Sequence, residues 1–281
     1  MSEFSIATHG LGKRYRKLWA LKDLSVTLPT NKVIALVGAN GAGKSTLMSI
    51  AAGILPATEG EIHTDGRTVL LSQEKPLYRS FSVADMLTFG RHMNNVWDQK
   101  RALNWLQRFD IPLDRPCGKL SGGQQTQVAM AVALGARPSV LLLDEPLANL
   151  DPVARRDVTG ELLAEIAESE MTVLLSTHVI AELAGVGDYL LLLREGRGAL
   201  DGDVEELMGQ HLRLTGPRAD VPPVDGQVVQ AQHSERQSTF VVRALLGPNT
   251  PIAEPWKAAP LTLEDLVLAY LRPARESREA Q

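Results

Sequence analysis

Gly38-Ala39-Asn40-Gly41-Ala42-Gly43-Lys44-Ser45 lies between two segments of opposite character. Residues 32–37 form an apolar, β-branched run that predicts a strand, and residues 44–52 carry a helical pattern that stops at Gly53. A segment of the form G-x-x-x-x-G-K-[ST] in that context is built to hold phosphate. Its glycines let successive backbone N–H groups turn inward around an anion, and the helix start adds its partial positive charge. Lys44 is placed to reach the outer phosphates and the Ser45 hydroxyl to hold Mg²⁺, with Thr46 completing the cofactor-binding stretch.

Outward from the loop, further strands are expected over residues 68–71, 140–143, 172–176 and 189–193. Several are almost wholly apolar, the mark of strands covered on both faces in a parallel sheet. Helices are read over 122–134 and, after Pro152, over 153–167. Between Gln73 and Leu120 the alternation breaks. There Ser82 can cap a helix reaching Arg91 and Asp98 another reaching Phe109, so an inserted helical subdomain is expected at about 74–120. The organisation expected is thus an α/β domain over 1–210 and a small appendage over 211–281. That appendage is proline-punctuated, with a strand-like run at 239–244, a terminal helix and a polar, frayed tail.

Two further motifs carry chemistry. Val140-Leu141-Leu142-Leu143-Asp144-Glu145 is an apolar strand ending in two carboxylates, which sets an acid beside a phosphate-bound metal. Asp144 is the better metal partner. Glu145, facing the other way if the strand continues, can polarise the attacking water. Leu120-Ser121-Gly122-Gly123-Gln124 opens the helix over 122–134, so Ser121 and the two glycines offer a second anion-binding helix start. One nucleotide does not need two such cradles from one chain.

With these three motifs in this order, the chain resembles the ATP-binding cassette (ABC) family, whose signature is LSGGQ, over roughly residues 4–210. The resemblance implies a P-loop NTPase fold of ABC type: a mainly parallel sheet core, an N-terminal antiparallel β portion and the inserted helical subdomain. It implies ATP and Mg²⁺ as cofactors, and ATP hydrolysis between two cassettes. The loop residues Gly38, Asn40, Gly41, Ala42, Gly43, Lys44, Ser45 and Thr46 of one cassette then hold ATP beneath Ser121, Gly122, Gly123 and Gln124 of the other. It further implies that Tyr15 stacks on adenine, with Trp19 as the alternative platform. Gln73 then senses the metal and the attacking water and leads into the subdomain that touches a membrane partner. His178, ending Leu174-Leu175-Ser176-Thr177-His178, contacts the γ-phosphate, and Asp151 runs along the dimer interface. Catalysis falls to Glu145, His178, Lys44 and Gln73, and metal binding to Ser45, Gln73 and Asp144. The chain departs from the pattern at Ala148-Asn149, where Ser-Ala is common, and at Gln127, where arginine commonly follows the signature. Both departures bear on rate and dimer coupling rather than on nucleotide binding.

Composition narrows the partners. Among 281 residues, Lys and Arg total 29 against 33 Asp and Glu, a net charge of −4, so no basic face points to nucleic acid. The single cysteine, Cys117, excludes an intrachain disulfide framework and a cysteine metal cluster. No apolar run approaches the ~20 residues of a membrane-spanning helix, and MSEFSIATHG lacks the layout of a secretion signal. The expectation is a cytoplasmic protein, peripheral on the inner face of the cell membrane, that docks on separate membrane-spanning permease subunits and a second cassette. The ending Pro260-Leu261-Thr262-Leu263-Glu264-Asp265 through Leu271 looks like that of ABC-2 type exporters, although an amphipathic helix closing the appendage explains it equally well. A soluble ABC ATPase acting on ribosome or DNA, and a regulatory cassette without turnover, are the competing readings.

Overall fold

The computed structural model describes residues 4–148, 150–180, 185–244 and 252–272. The chain opens as a long hairpin of β1 (Phe4–Tyr15) and β2 (Leu18–Pro29), followed by β3 (Val33–Val37) and α1 (Lys44–Ala51). β4 (Glu59–Thr64) returns to pair with β1 and completes an antiparallel sheet of order β2-β1-β4. These are the strands that alternation alone does not reveal. Register shifts at Thr8/Leu11, Leu11/Lys13 and Lys13/Arg14 make β-bulges, so the inward-facing residues of β1 fall out of step with a period of two.

After β5 (Thr68–Leu71) come α2 (Val83–Met93) and α3 (Gln99–Arg108), the inserted helices. Both caps expected from sequence are present. Ser82 closes a capping box with Asp85, and the Asp98 carboxylate accepts from the Arg101 N–H. The chain re-enters the core through α4 (Gly122–Gly135), β6 (Val140–Asp144), α5 (Pro152–Ser169), β7 (Thr172–Thr177), β8 (Tyr189–Arg194) and β9 (Arg197–Asp203). The central sheet has order β5-β6-β7-β3-β8-β9, parallel throughout except for the β8–β9 pair. Every residue of β3, β6 and β7 is buried, which is why those strands read as unbroken apolar runs. Some observed boundaries extend one or two residues beyond the expected ones where hydrogen bonding outlasts the apolar pattern, as at Asp144 and Thr177, whereas β3 begins one residue later and α1 ends one residue earlier than expected.

α6 (Val204–Gly209) leads into the C-terminal elements β10 (His211–Pro217), β11 (Gln227–His233), β12 (Gln237–Arg243), β13 (Lys257–Ala259) and α7 (Leu263–Leu271). The four strands form an antiparallel sheet of order β11-β12-β10-β13. One face holds a small cluster of Leu214, Phe240 and Val242 packed by Trp256. On the other side Val241, Leu266 and Val267 join the main core. At the junction, buried His211 donates from Nδ1 to the Leu207 carbonyl (2.6 Å), which leaves Nε2 to accept from the Tyr270 hydroxyl (2.9 Å). Burial lowers the His211 pKa, the direction that favours the neutral ring that pairing needs. The polar tail beyond Arg272 lies outside the described residues.

Inside the helical insertion, the Trp97 ring lies against the glycines Gly90 of α2 and Gly135 of α4. A Cβ added at Gly135 would stand 2.6 Å from that ring, whereas one at Gly160 in α5 would meet nothing within 4 Å. Overpacking costs about 1–3 kcal/mol, against about 1 kcal/mol gained when alanine replaces glycine in a helix. Gly135→Ala is therefore expected to lower the urea midpoint and Gly160→Ala to raise it, each at unchanged slope.

Candidate functional site

The loop between β3 and α1 is held by two close backbone approaches. A Cβ at Gly38 would stand 2.5 Å from the Leu193 carbonyl oxygen, and one at Gly43, whose φ is +104°, would stand 2.4 Å from that of Ala20. Only glycine fits at either place. Gly43 is also the N-cap of α1 and supplies no side-chain cap, so the helix start keeps N–H groups available for an anion. Lys44 is almost fully buried. Its Nζ donates to the carbonyls of Gly38 (2.8 Å) and Ala39 (3.3 Å), folding across the loop it follows. Burial lowers its pKa, and the Glu145 and Asp144 carboxylates act in the opposite direction.

The loop forms one wall of an open cleft of about 880 Å³, lined by Asn40, Gly41, Gly43, Lys44, Ser45 and Thr46. Gln73 and Glu145 line the same cleft, although they come from residues after β5 and after β6. At the end of β6, buried Asp144 accepts from the Ser176 hydroxyl (2.6 Å). Glu145 does not continue the strand. Its φ is +48°, a left-handed conformation, so its side chain is turned by the backbone and not by strand alternation. The expectation that the two carboxylates separate by the pleat is corrected accordingly. The turn carries the Glu145 Oε1 to 3.1 Å from the His178 Nδ1. Ser176 is a participant that sequence reading missed, since a serine inside an apolar strand looks like a tolerated polar residue.

The second helix start lies elsewhere. Ser121 caps α4 and closes a capping box with Gln124, accepting from its N–H (3.2 Å) and donating its own N–H to the Gln124 Oε1 (3.1 Å). Ser121, Gly122, Gly123 and Gln124 line a separate cavity of about 500 Å³ with Leu150 and Asp151, and none of its lining residues also lines the first cleft. Gln124 thus satisfies its own helix start as well as facing that cavity. Asp151 caps α5, accepting from the Val153 and Ala154 N–H groups (3.0 Å each), while Asn149 lies outside the described residues. Lys75, two residues past Gln73, donates to the Gly122 carbonyl (3.1 Å) and joins the two regions.

Comparison with known proteins gives this geometry a family. The profile described as "ABC transporter" matches residues 21–148. The chain is 30% identical over 206 residues to the lantibiotic transport ATP-binding protein SrtF of Streptococcus pyogenes, covering 69% of this chain and 89% of that one. It belongs to the ABC transporter family. It is also 34% identical over 224 residues to the aliphatic sulfonates import ATP-binding protein SsuB 1 of Paraburkholderia xenovorans, a match that spans 78% of this chain and 63% of that protein's length. In structure it is similar to cbiO1 of Clostridium perfringens, part of the ABC transporter complex cbiONQ, with a TM-score of 0.63, 30% identity, and 73% and 91% of the two chains covered.

Two further features lie close to these regions. Tyr15 closes β1 half exposed, with the Lys13 Nζ 5.6 Å from its ring centre, beside the cleft and not among its lining residues. Leu18 and Trp19 do line it, and the Arg14 guanidinium stacks over the Trp19 ring at 5.3 Å. In the hairpin register Tyr15 pairs with Leu18 and Arg14 with Trp19. The second feature is Gln127. It is buried and accepts from the Trp105 Nε1 (2.9 Å), so a neutral amide meets a neutral indole where an arginine would bring a charge to be compensated. Its place is the contact between α3 and α4. Gln127→Leu is expected to cost about 1–3 kcal/mol by leaving the indole N–H unpaired. Adding Trp105→Phe should give a total loss smaller than the sum of the single losses, measurable by a double-mutant cycle in urea.

Proposed function

We propose that this cassette binds ATP with Mg²⁺ on the Gly38–Ser45 loop and hydrolyses it to drive a transporter whose membrane-spanning subunits are separate chains. The observation that supports this most directly is that Lys44, Gln73 and Glu145, from three distant segments, line one cleft while His178 contacts the Glu145 carboxylate. The donor set suits Mg²⁺: the Ser45 hydroxyl, the Gln73 amide and the Asp144 carboxylate are all hard oxygen ligands. A magnesium ion held partly by phosphates needs only one or two protein carboxylates. When bound, the ion neutralises charge developing on the phosphates.

The remaining work falls to side chains. Lys44 exchanges its two loop carbonyls for phosphate oxygens, a switch of hydrogen bonds that costs little because both sets are acceptors. Glu145 takes the proton of the attacking water, and His178 orients that carboxylate while reaching the γ-phosphate. Trp19, with Tyr15 beside it, forms the aromatic edge for the adenine ring. A second cassette places Ser121, Gly122 and Gly123 on the phosphates, since within one chain those residues face a cavity of their own. Among the described residues no helix is long and apolar enough to cross a membrane. In this reading the force is delivered to separate membrane partners through α2 and α3, at the inner face of the membrane. The α7 ending supports export as the direction.

Glu145→Gln is expected to lower ATP turnover by roughly 10²–10⁴-fold with ATP binding retained, and Lys44→Ala to lose binding itself. Equal turnover in wild type and Glu145→Gln would remove Glu145 as the base. Saturated with Mg²⁺-ATP, Glu145→Gln should sediment as a dimer. A species that stays monomeric, alone and with its membrane partner, rules out the sandwiched site.

A further inference from the structure

Ser176 is fully buried near the end of β7, in a run whose neighbours Val173, Leu174 and Leu175 are all apolar. In the parallel sheet its register partners are Asp144 on β6 and Leu36 on β3, so its hydroxyl sits at the point where β6 gives way to the catalytic turn. Both capacities of that hydroxyl are used. Its single proton goes to the Asp144 Oδ1 at 2.6 Å, the length of a hydroxyl bound to a charged carboxylate, and its oxygen accepts the Glu145 N–H at 3.0 Å. The direction follows from the groups themselves, because an ionised carboxylate can only accept and an amide N–H can only donate. Thr177, the next hydroxyl, accepts from the Val179 N–H instead and is engaged in a different turn.

We infer that Ser176 is a positioning residue for the phosphate site: its hydroxyl fixes the Asp144 carboxylate and the left-handed Glu145 backbone together. Without it, Glu145 at φ +48° lacks the bond that holds a conformation unfavourable for a non-glycine residue. The carboxylate that meets His178 at 3.1 Å then relaxes away from the cleft. Asp144 at the same time loses the donor that selects which of its oxygens remains free for a cation. One hydroxyl thus couples the metal-side and water-side carboxylates, which adjoin in sequence but have different tasks. The inference rests on the nucleotide site proposed above.

The test uses the full chain as wild type, Ser176→Ala and Ser176→Cys, the cysteine keeping volume while supplying only a weak donor. Each variant is expected to lower kcat on the order of a hundredfold with KM for Mg²⁺-ATP rising by no more than about tenfold, since the glycine loop is untouched and only the metal's share of binding is weakened. Turnover within about twofold of wild type in a folded variant, or a KM that rises as far as kcat falls, overturns the proposal. A second readout needs no turnover: affinity for fluorescently labelled ADP with and without Mg²⁺. The increment that Mg²⁺ adds should shrink on the order of tenfold in the variants while the metal-free affinity stays at the wild-type value. An increment of equal size in wild type and variants overturns the proposal. Should wild type bind nucleotide but never hydrolyse it, the ATPase reading fails and the increment still decides the role of Ser176. Should Ser176→Ala not fold, Ser176→Cys carries both measurements.

Discussion

Two backbone contacts hold the Gly38–Ser45 loop, and much of the architecture converges on them. Gly38 passes the Leu193 carbonyl of β8 and Gly43 passes the Ala20 carbonyl of β2 so closely that no Cβ can intervene. The loop is consequently wedged between the antiparallel hairpin and the parallel sheet, and its shape is inherited from both. A cradle formed this way needs no side chain to shape it, which leaves its N–H groups free to face an anion. The same contacts tie the hairpin to the central sheet, whose residues share one core cluster, so a shift of β2 against β8 would open the loop.

Charge at this place is kept in balance by proximity. Lys44 is buried, and the acids that offset its burial, Asp144 and Glu145, reach it from the strand two places away in the sheet. A cation and two carboxylates buried separately would each carry a desolvation cost; gathered at strand ends they compensate one another until a charged ligand arrives. The C-terminal ends of parallel strands are where such groups can meet, because the crossover helices begin there and the backbone dipoles point outward.

The inserted helices are fastened to this core by polar contacts as well as by packing. Trp105 of α3 bonds Gln127 of α4, and Arg101 and Arg108 of α3 pair with Glu165 of α5, whose N-cap is Asp151. α3 therefore touches the helix that starts at Ser121 through Gln127 and the helix that starts at Asp151 near its far end, at Glu165, so both helices are fastened to the insertion. The Gln127 contact is neutral and buried, which makes the geometry of α3 against α4 depend on one amide–indole match rather than on an ion pair.

The amino-acid sequence by itself determined the elements whose physics is local. The apolar runs at β3, β6 and β7, the caps at Ser82, Asp98 and Ser121, and the glycine loop with its lysine are all legible because propensity, capping and periodicity act within a few residues. It also ordered the candidate residues Lys44, Gln73, Ser121, Asp144, Glu145 and His178 along the chain. Only the tertiary structure decided what depends on register and on contacts between distant segments. It placed Trp19 rather than Tyr15 on the cleft wall, turned Glu145 out of the strand, matched Gln127 to Trp105 and drew Ser176 between two carboxylates. In each case the deciding quantity is a distance between groups many residues apart, fixed by how strands align and how helices pack, and a linear pattern contains no such distance.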